Sequence, residues 1–173
     1  VYSHTGSDSL YFNKEGTFPG VGAYQSEESP YHSWYTFRDY DGNRDDYECW
    51  WNIDILPRVN CDSKSYRQFI LGKNGVIEKW FSCGIAGLRL DVADELSDEF
   101  LDEFCRAVKA ASSGEGIVIG EVWENAADKI AYGKRRSYFR GAQLDSVMNY
   151  PLRNGILSFV RFGDAEMLAD VLK

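Results

Sequence analysis

The chain has 173 residues, 44% hydrophobic and 15% aromatic, enough apolar side chain to bury a core, so disorder is not the expectation. Twenty-seven acidic against 19 basic residues leave a formal charge of -8, which repels phosphate backbones and offers no polybasic patch, so nucleic acid and membrane surfaces are excluded as partners. No apolar run approaches the ~20 residues of a membrane span, and Cys49, Cys61, Cys83 and Cys105 form no C-x-x-C pair, which reads as free thiols in a reducing compartment.

From His4 to about Asn60 the chain is rich in Gly, Asp and aromatics and poor in periodicity. Structured loops of that length are usually functional, and on a barrel they belong at the catalytic face. Eight aromatics fall between Tyr31 and Trp51. Flat rings stack on pyranose faces, so a few of them are candidate sugar subsites, while most are expected to pack the loop down. The run DYDGNRDD, 39–46, clusters oxygen ligands of the kind calcium takes. Its Gly42 is at the fourth position rather than the sixth, however, and Trp50 stands where an EF-hand places Glu. A solvated acidic turn is the better reading, and no metal or cofactor is assigned.

A helix is expected over 65–70, broken at Gly72 to Gly75 and resumed to Phe81. From there the pattern repeats as an apolar run, a polar loop and an amphipathic helix, the signature of βα units on a parallel sheet. The first strand is expected over 86–92, with Asp91 at its end. Ser97 then caps a helix carrying Phe100, Phe104, Val108 and Ala111 at helical spacing, stopped by Ser112, Ser113 and Gly114. A second strand, 117–122, holds Glu121 near its C-terminal end. A polar loop with a short helix around 126–132 follows, then a third strand around 144–148. Pro151 marks the first turn of a helix to about Phe162, and Asp164 opens one more with Met167, Leu168, Val171 and Leu172 on its apolar face.

Asp91 and Glu121 are 30 residues apart, close to the roughly 31 per unit of a barrel that folds eight βα repeats from about 250 residues. The fold class is therefore α/β, a partial (β/α)8 TIM barrel. Arg89 and Asp91 share one face of a strand, where the guanidinium can hold the carboxylate ionised. Carboxylates at adjacent strand ends can sit the roughly 5 to 5.5 Å apart that a retaining glycosidase requires. Singly, each has an ordinary reading as well, a structural ion pair for Arg89 and Asp91 and a solvated strand end for Glu121.

The words around them carry more. GLRLDVADE, 87–95, resembles the second conserved region of the α-amylase family, G-x-R-x-D, and IGEVWENA, 119–126, resembles the third. The resemblance implies Asp91 as nucleophile, Arg89 as its partner and Glu121 as acid/base. GTFPGVGAYQS, SPYHSWYTF, YECWWNIDILPRVN and DSVMNYPL are similar to the neopullulanase, cyclomaltodextrinase and maltogenic-amylase subgroup, so the likeness covers nearly the whole chain. Val1-Tyr2-Ser3-His4 resembles the end of the first region, D-x-V-x-N-H, on strand three, with Ser3 in place of the usual Asn. His4 would then bond the sugar at the cleavage subsite, its other reading being an ordinary terminal histidine. Glu95 stands where many amylases have a substrate-binding His, or is first-turn charge ahead of the Ser97 helix. Trp123 and Glu124 would line the +1 side of the cleft, though a Trp at such a junction is as often core.

By this resemblance, residues 1–60 carry the end of strand three and a long inserted loop, and 61–173 carry βα units around strands four to six of one catalytic domain. The resemblance implies retaining hydrolysis of glucans such as maltooligosaccharides, cyclodextrins, pullulan or starch, at α-1,4 linkages with α-1,6 as a further option. The alternative is an amylase-like module that binds or assembles without catalysis. The family's third carboxylate, an Asp on strand seven, falls outside this chain. The isolated chain is therefore expected to be inactive and to form homo-oligomers through open sheet edges. A cytoplasmic location is expected, with secretion left open because the chain opens as though cut from a longer one.

Overall fold

The computed structural model describes residues 1–140 and 143–173. Helix α1, Lys64–Leu71, and helix α2, Val76–Ser82, form as the apolar spacing dictates. A Cβ on Gly75 would lie 2.6 Å from the Gly72 carbonyl oxygen and 2.8 Å from that of Phe69, so this corner closes only over glycine. Strand β1, Gly87–Leu90, leads to helix α3, Asp98–Ala111, whose cap Ser97 accepts the Phe100 N–H at 3.2 Å. Strand β2, Ile117–Gly120, returns parallel to β1 in continuous register from Gly87 opposite Ile117 to Leu90 opposite Gly120.

Before the next parallel strand the chain makes an antiparallel hairpin of β3, Ile130–Ala131, and β4, Lys134–Arg135. This replaces the short helix expected over 126–132. Tyr132 and Gly133 form a two-residue turn with both φ positive, 52° and 74°, the handedness that matches strand twist and that a right-handed helix forbids. Strand β5, Ser146–Val147, completes the parallel sheet in the order β1-β2-β5. Helix α4, Tyr150–Phe162, starts at its Asn149 cap with Pro in the first turn and ends at Gly163 with φ 73°. Helix α5, Ala165–Val171, opens on Asp164, whose carboxylate accepts the Met167 N–H at 2.9 Å.

Two further expectations need correction. The strands are shorter than read: β1 stops at Leu90 because Val92 turns left-handed at φ 39° into the 3-10 turn Ala93–Glu95, β2 stops at Gly120, and β5 has two residues rather than five. The opening residues do not join the parallel sheet as a fourth strand. His4 bridges antiparallel to Arg58, with Val59 N–H donating to the Ser3 carbonyl at 2.8 Å and Thr5 N–H to that of Pro57 at 3.1 Å. The pairing capacity of that segment is spent on residues 55–59. The sheet therefore has three parallel strands among the described residues, not four.

The 1–60 region is held by aromatics rather than by regular structure. Phe12 is fully buried, with the rings of Tyr35 and Tyr47 each 4.8 Å away, and Trp34, Tyr35 and Tyr47 are buried around it. This cluster runs without a break into the sheet layer through Trp34 against Tyr66 at 5.1 Å and Tyr2 against Phe104 at 5.0 Å. Phe100, Leu101, Phe104 and Val108 of α3 then cover Leu90 and Val118 of the strands. All four cysteines carry free thiols, and no helix among the described residues is long and apolar enough to cross a membrane.

Candidate active site

Hydrogen bonding between the chains of β1 and β2 continues past the strand ends. Glu121 N–H donates to the Leu90 carbonyl at 2.8 Å and Ala93 N–H to the Glu121 carbonyl at 3.0 Å. Asp91 and Glu121, each one residue beyond its strand, are thereby held side by side at the C-terminal edge of the sheet. Arg89 spans them, one guanidinium nitrogen on Asp91 and the other 2.7 Å from Glu121 Oε1.

Glu121 is buried and fully engaged. Its Oε2 accepts the Val92 N–H at 2.9 Å, and its Oε1 accepts the Tyr150 hydroxyl at 3.0 Å as well as Arg89. The left-handed turn at Val92, costly for a β-branched residue, brings that amide to the carboxylate. Burial pushes the Glu121 carboxyl up, but the bonds from Val92, Trp123 and Tyr150 and the Arg89 charge outweigh it and hold it below the ordinary range.

An open groove of about 230 Å³ begins at Glu121, and Trp51, Glu95, Trp123, Lys129 and Tyr132 line it. Glu124 lies in the same wall, ion-paired to Lys129, which also reaches Asp94 at 3.1 Å. Glu95 takes the Tyr132 hydroxyl and stands 3.6 Å from Arg58. His4 lies flat on Trp50 at 5.2 Å, with Ser3 Oγ 3.0 Å from its Nδ1. Burial pushes the His4 imidazole down, and the Asp91 charge offsets this only in part.

Of the residues singled out in the sequence, Arg89, Asp91 and Glu121 converge at the strand ends, Glu95, Trp123 and Glu124 line the groove, and His4 lies on Trp50, near enough to Asp91 and Glu95 to feel their charge. Of the eight loop aromatics, Trp34, Tyr35 and Tyr47 are core, whereas Trp51 faces the groove. In the acidic turn 39–46, Asp45 pairs with Lys14 at 2.8 Å and Asp46 with Arg38 at 2.6 Å. Among the described residues no three His, Cys, Asp or Glu side chains converge as a metal centre would need.

The sequence reading missed Tyr150, Lys129 and Tyr132. Tyr150 stood beside Pro151 inside a recognised word, but nothing local links it to Glu121. The Tyr-Gly pair at 132–133 lacks the Asn-Gly or Asp-Gly signature of a hairpin.

Known proteins show the same segment. An amylopullulanase of Thermoanaerobacterium thermosulfurigenes is 34% identical over 92% of this chain and 9% of its own length. The chain belongs to the α-amylase family. A cyclomaltodextrinase of a Bacillus species is 32% identical over 84% of the chain and 25% of that protein. Among solved structures of the family, the cyclic α-maltosyl-(1→6)-maltose hydrolase of Arthrobacter globiformis, complexed with that sugar, superposes on 99% of the chain and 36% of its own with a TM-score of 0.78 at 25% identity. A debranching enzyme of Nostoc punctiforme covers 92% of the chain and 30% of its own, with a TM-score of 0.68 at 27% identity. The chain spans 9% to 13% of the length of the first amylopullulanases it matches. No family model matches it.

Proposed function

We propose that this chain is the part of a larger α-glucan hydrolase that carries its nucleophile, Asp91, and its acid/base, Glu121, and that the reaction proceeds with retention. The observation that supports this is the single guanidinium of Arg89 touching both carboxylates at neighbouring parallel strand ends. One guanidinium reaching both keeps the two carboxylates close, a spacing compatible with the roughly 5 to 5.5 Å of a retaining pair. The names of the relatives, amylopullulanase and cyclomaltodextrinase, point to α-glucans as the substrate class.

In the first step Glu121 protonates the leaving oxygen while Asp91 attacks the anomeric carbon. The C–O bond to the leaving sugar breaks, and an ester to Asp91 forms. In the second, Glu121 as carboxylate takes a proton from water, which displaces the ester. Side chains supply both proton and nucleophile.

The depressed pKa of Glu121 suits the second step and opposes the first. A sugar that drives water from the groove favours the neutral acid, because burial without solvent penalises charge. The same depression also favours a second reading, a binding module in which Glu121 and Arg89 form a permanent ion pair.

In the full-length enzyme, Asp91→Asn and Glu121→Gln should each lower kcat on maltooligosaccharides by about 10² to 10⁴-fold. With α-maltosyl fluoride, Glu121→Gln should also accumulate a maltosyl adduct on Asp91, seen by mass spectrometry. Turnover indifferent to both changes would leave the binding module standing.

A further inference from the structure

We infer that Tyr132, at the tip of the β3–β4 hairpin, is a specificity-determining residue that stacks on the sugar on the leaving-group side of the bond cleaved, and that Glu95 positions it. The inference rests on the assignment of Asp91 and Glu121 above. The groove is bordered by Glu121 but not by Asp91. The acid contacts the oxygen that departs, whereas the nucleophile lies under the sugar that stays. A pyranose in this groove is therefore part of the leaving group.

Three large aromatics stand in water around that groove: Tyr132 is 68% exposed, Trp51 64% and Trp123 42%. Trp51 is not loose, since it stacks on Trp50 at 5.1 Å and meets the edge of Trp123 at 5.6 Å. Tyr132 faces the groove from the hairpin. Tyr132 and Trp51 both hold left-handed backbone, φ 52° and 51°, a conformation that bulky side chains adopt only where the surroundings impose it. Exposed, conformationally costly rings gathered at one groove have the character of a ligand clamp rather than of solvated surface.

The hairpin turn sets the Tyr132 backbone, and Glu95 fixes where its ring stands. Glu95 accepts the Tyr132 hydroxyl, and the guanidinium of Arg58, 3.6 Å from the same carboxylate, sits 5.7 Å from the Tyr132 ring centre. Burial and the Glu95 bond push the phenol up to about 12, so it stays a hydrogen-bond donor across the working range of pH. The base of the hairpin is pinned separately by Lys129 on Asp94 and Glu124 and by Arg136 N–H on the Lys129 carbonyl at 2.8 Å. The ring can thus be removed while the hairpin keeps its anchors. Glu95 borders the same groove, and its role here is to hold the Tyr132 ring through the hydroxyl.

The test compares two donors in the full-length enzyme: maltotetraose, whose leaving group is a sugar, and α-maltosyl fluoride, whose leaving group needs no sugar site. Tyr132→Ala should lower the ratio of their kcat/KM values by about tenfold, with a parallel loss of transfer to added maltose. Tyr132→Leu, apolar but without a ring, should give the same ratio and stands in if the alanine variant folds poorly. Glu95→Ala should follow Tyr132→Ala, and Glu95→Gln, which keeps an acceptor oxygen, should restore most of the ratio. A ratio left unchanged by Tyr132→Ala and Tyr132→Leu overturns the inference, whether both activities fall together or neither falls. Fluoride turnover surviving Asp91→Asn would instead overturn the nucleophile assignment, whatever Tyr132 does.

Discussion

At the end of β2 a buried carboxylate is kept below its ordinary pKa by donors from three elements, and each is a separate handle on its chemistry. Tyr150 is the one that can be removed most cleanly, because its hydroxyl is 3.0 Å from Glu121 Oε1 and Phe preserves the ring. That bond favours the ionised form, and by the same contact Glu121 raises the phenol. In Tyr150→Phe the Glu121 pKa should rise. The alkaline limb of the kcat/KM profile, which reports loss of the protonated acid, should move to higher pH, and a shift to lower pH would contradict the arrangement. Arg89, Asp91 and Glu121 were legible as residues because the family's words surround them. Tyr150 was not, since a hydroxyl 29 residues from its partner leaves no local pattern.

The elements are tied by a side chain the catalytic reading leaves aside. Asp145, just before β5, accepts two bonds from Lys109 Nζ of α3, each 2.8 Å, and the Val118 N–H of β2 at 2.8 Å. Lys109 and then the Val118 amide hold the Asp145 carboxyl below its ordinary value. A carboxylate whose folded pKa is lowered stabilises the fold above the unfolded value of about 3.9, and that contribution fades as pH falls through the folded one. Charge-assisted bonds at a partly exposed site suggest that Asp145→Ala costs about 1–2 kcal/mol at pH 7. Urea midpoints should converge with the wild type toward pH 2, and a constant gap across pH would count against the ion pair. At this scale the helices were readable from capping and period, whereas the 130–135 hairpin was not, because neighbours on residues 94–96 and 124 decide its course.

The molecule as a whole presents open sheet edges and exposed apolar faces. β1 and β5 are the outer strands of the parallel sheet, and Val160 and Phe162 of α4 and Leu172 just past α5 are 74%, 81% and 68% exposed. Open edges and apolar faces of this kind favour association. The isolated chain should therefore sediment as oligomers at micromolar concentration and should not turn over maltooligosaccharides. A monodisperse, active monomer would refute both statements.

Sequence alone determined the βα order, the caps and the two acidic words, because hydrophobic period, capping chemistry and short motifs act over a few neighbouring residues. Only the tertiary structure decided that the opening segment pairs with residues 55–59 instead of the parallel sheet, that one arginine holds both acids, and that a tyrosine hairpin walls the groove. Those outcomes depend on contacts between residues 29 to 56 apart in the chain, where backbone groups and side chains compete for partners that no local pattern records.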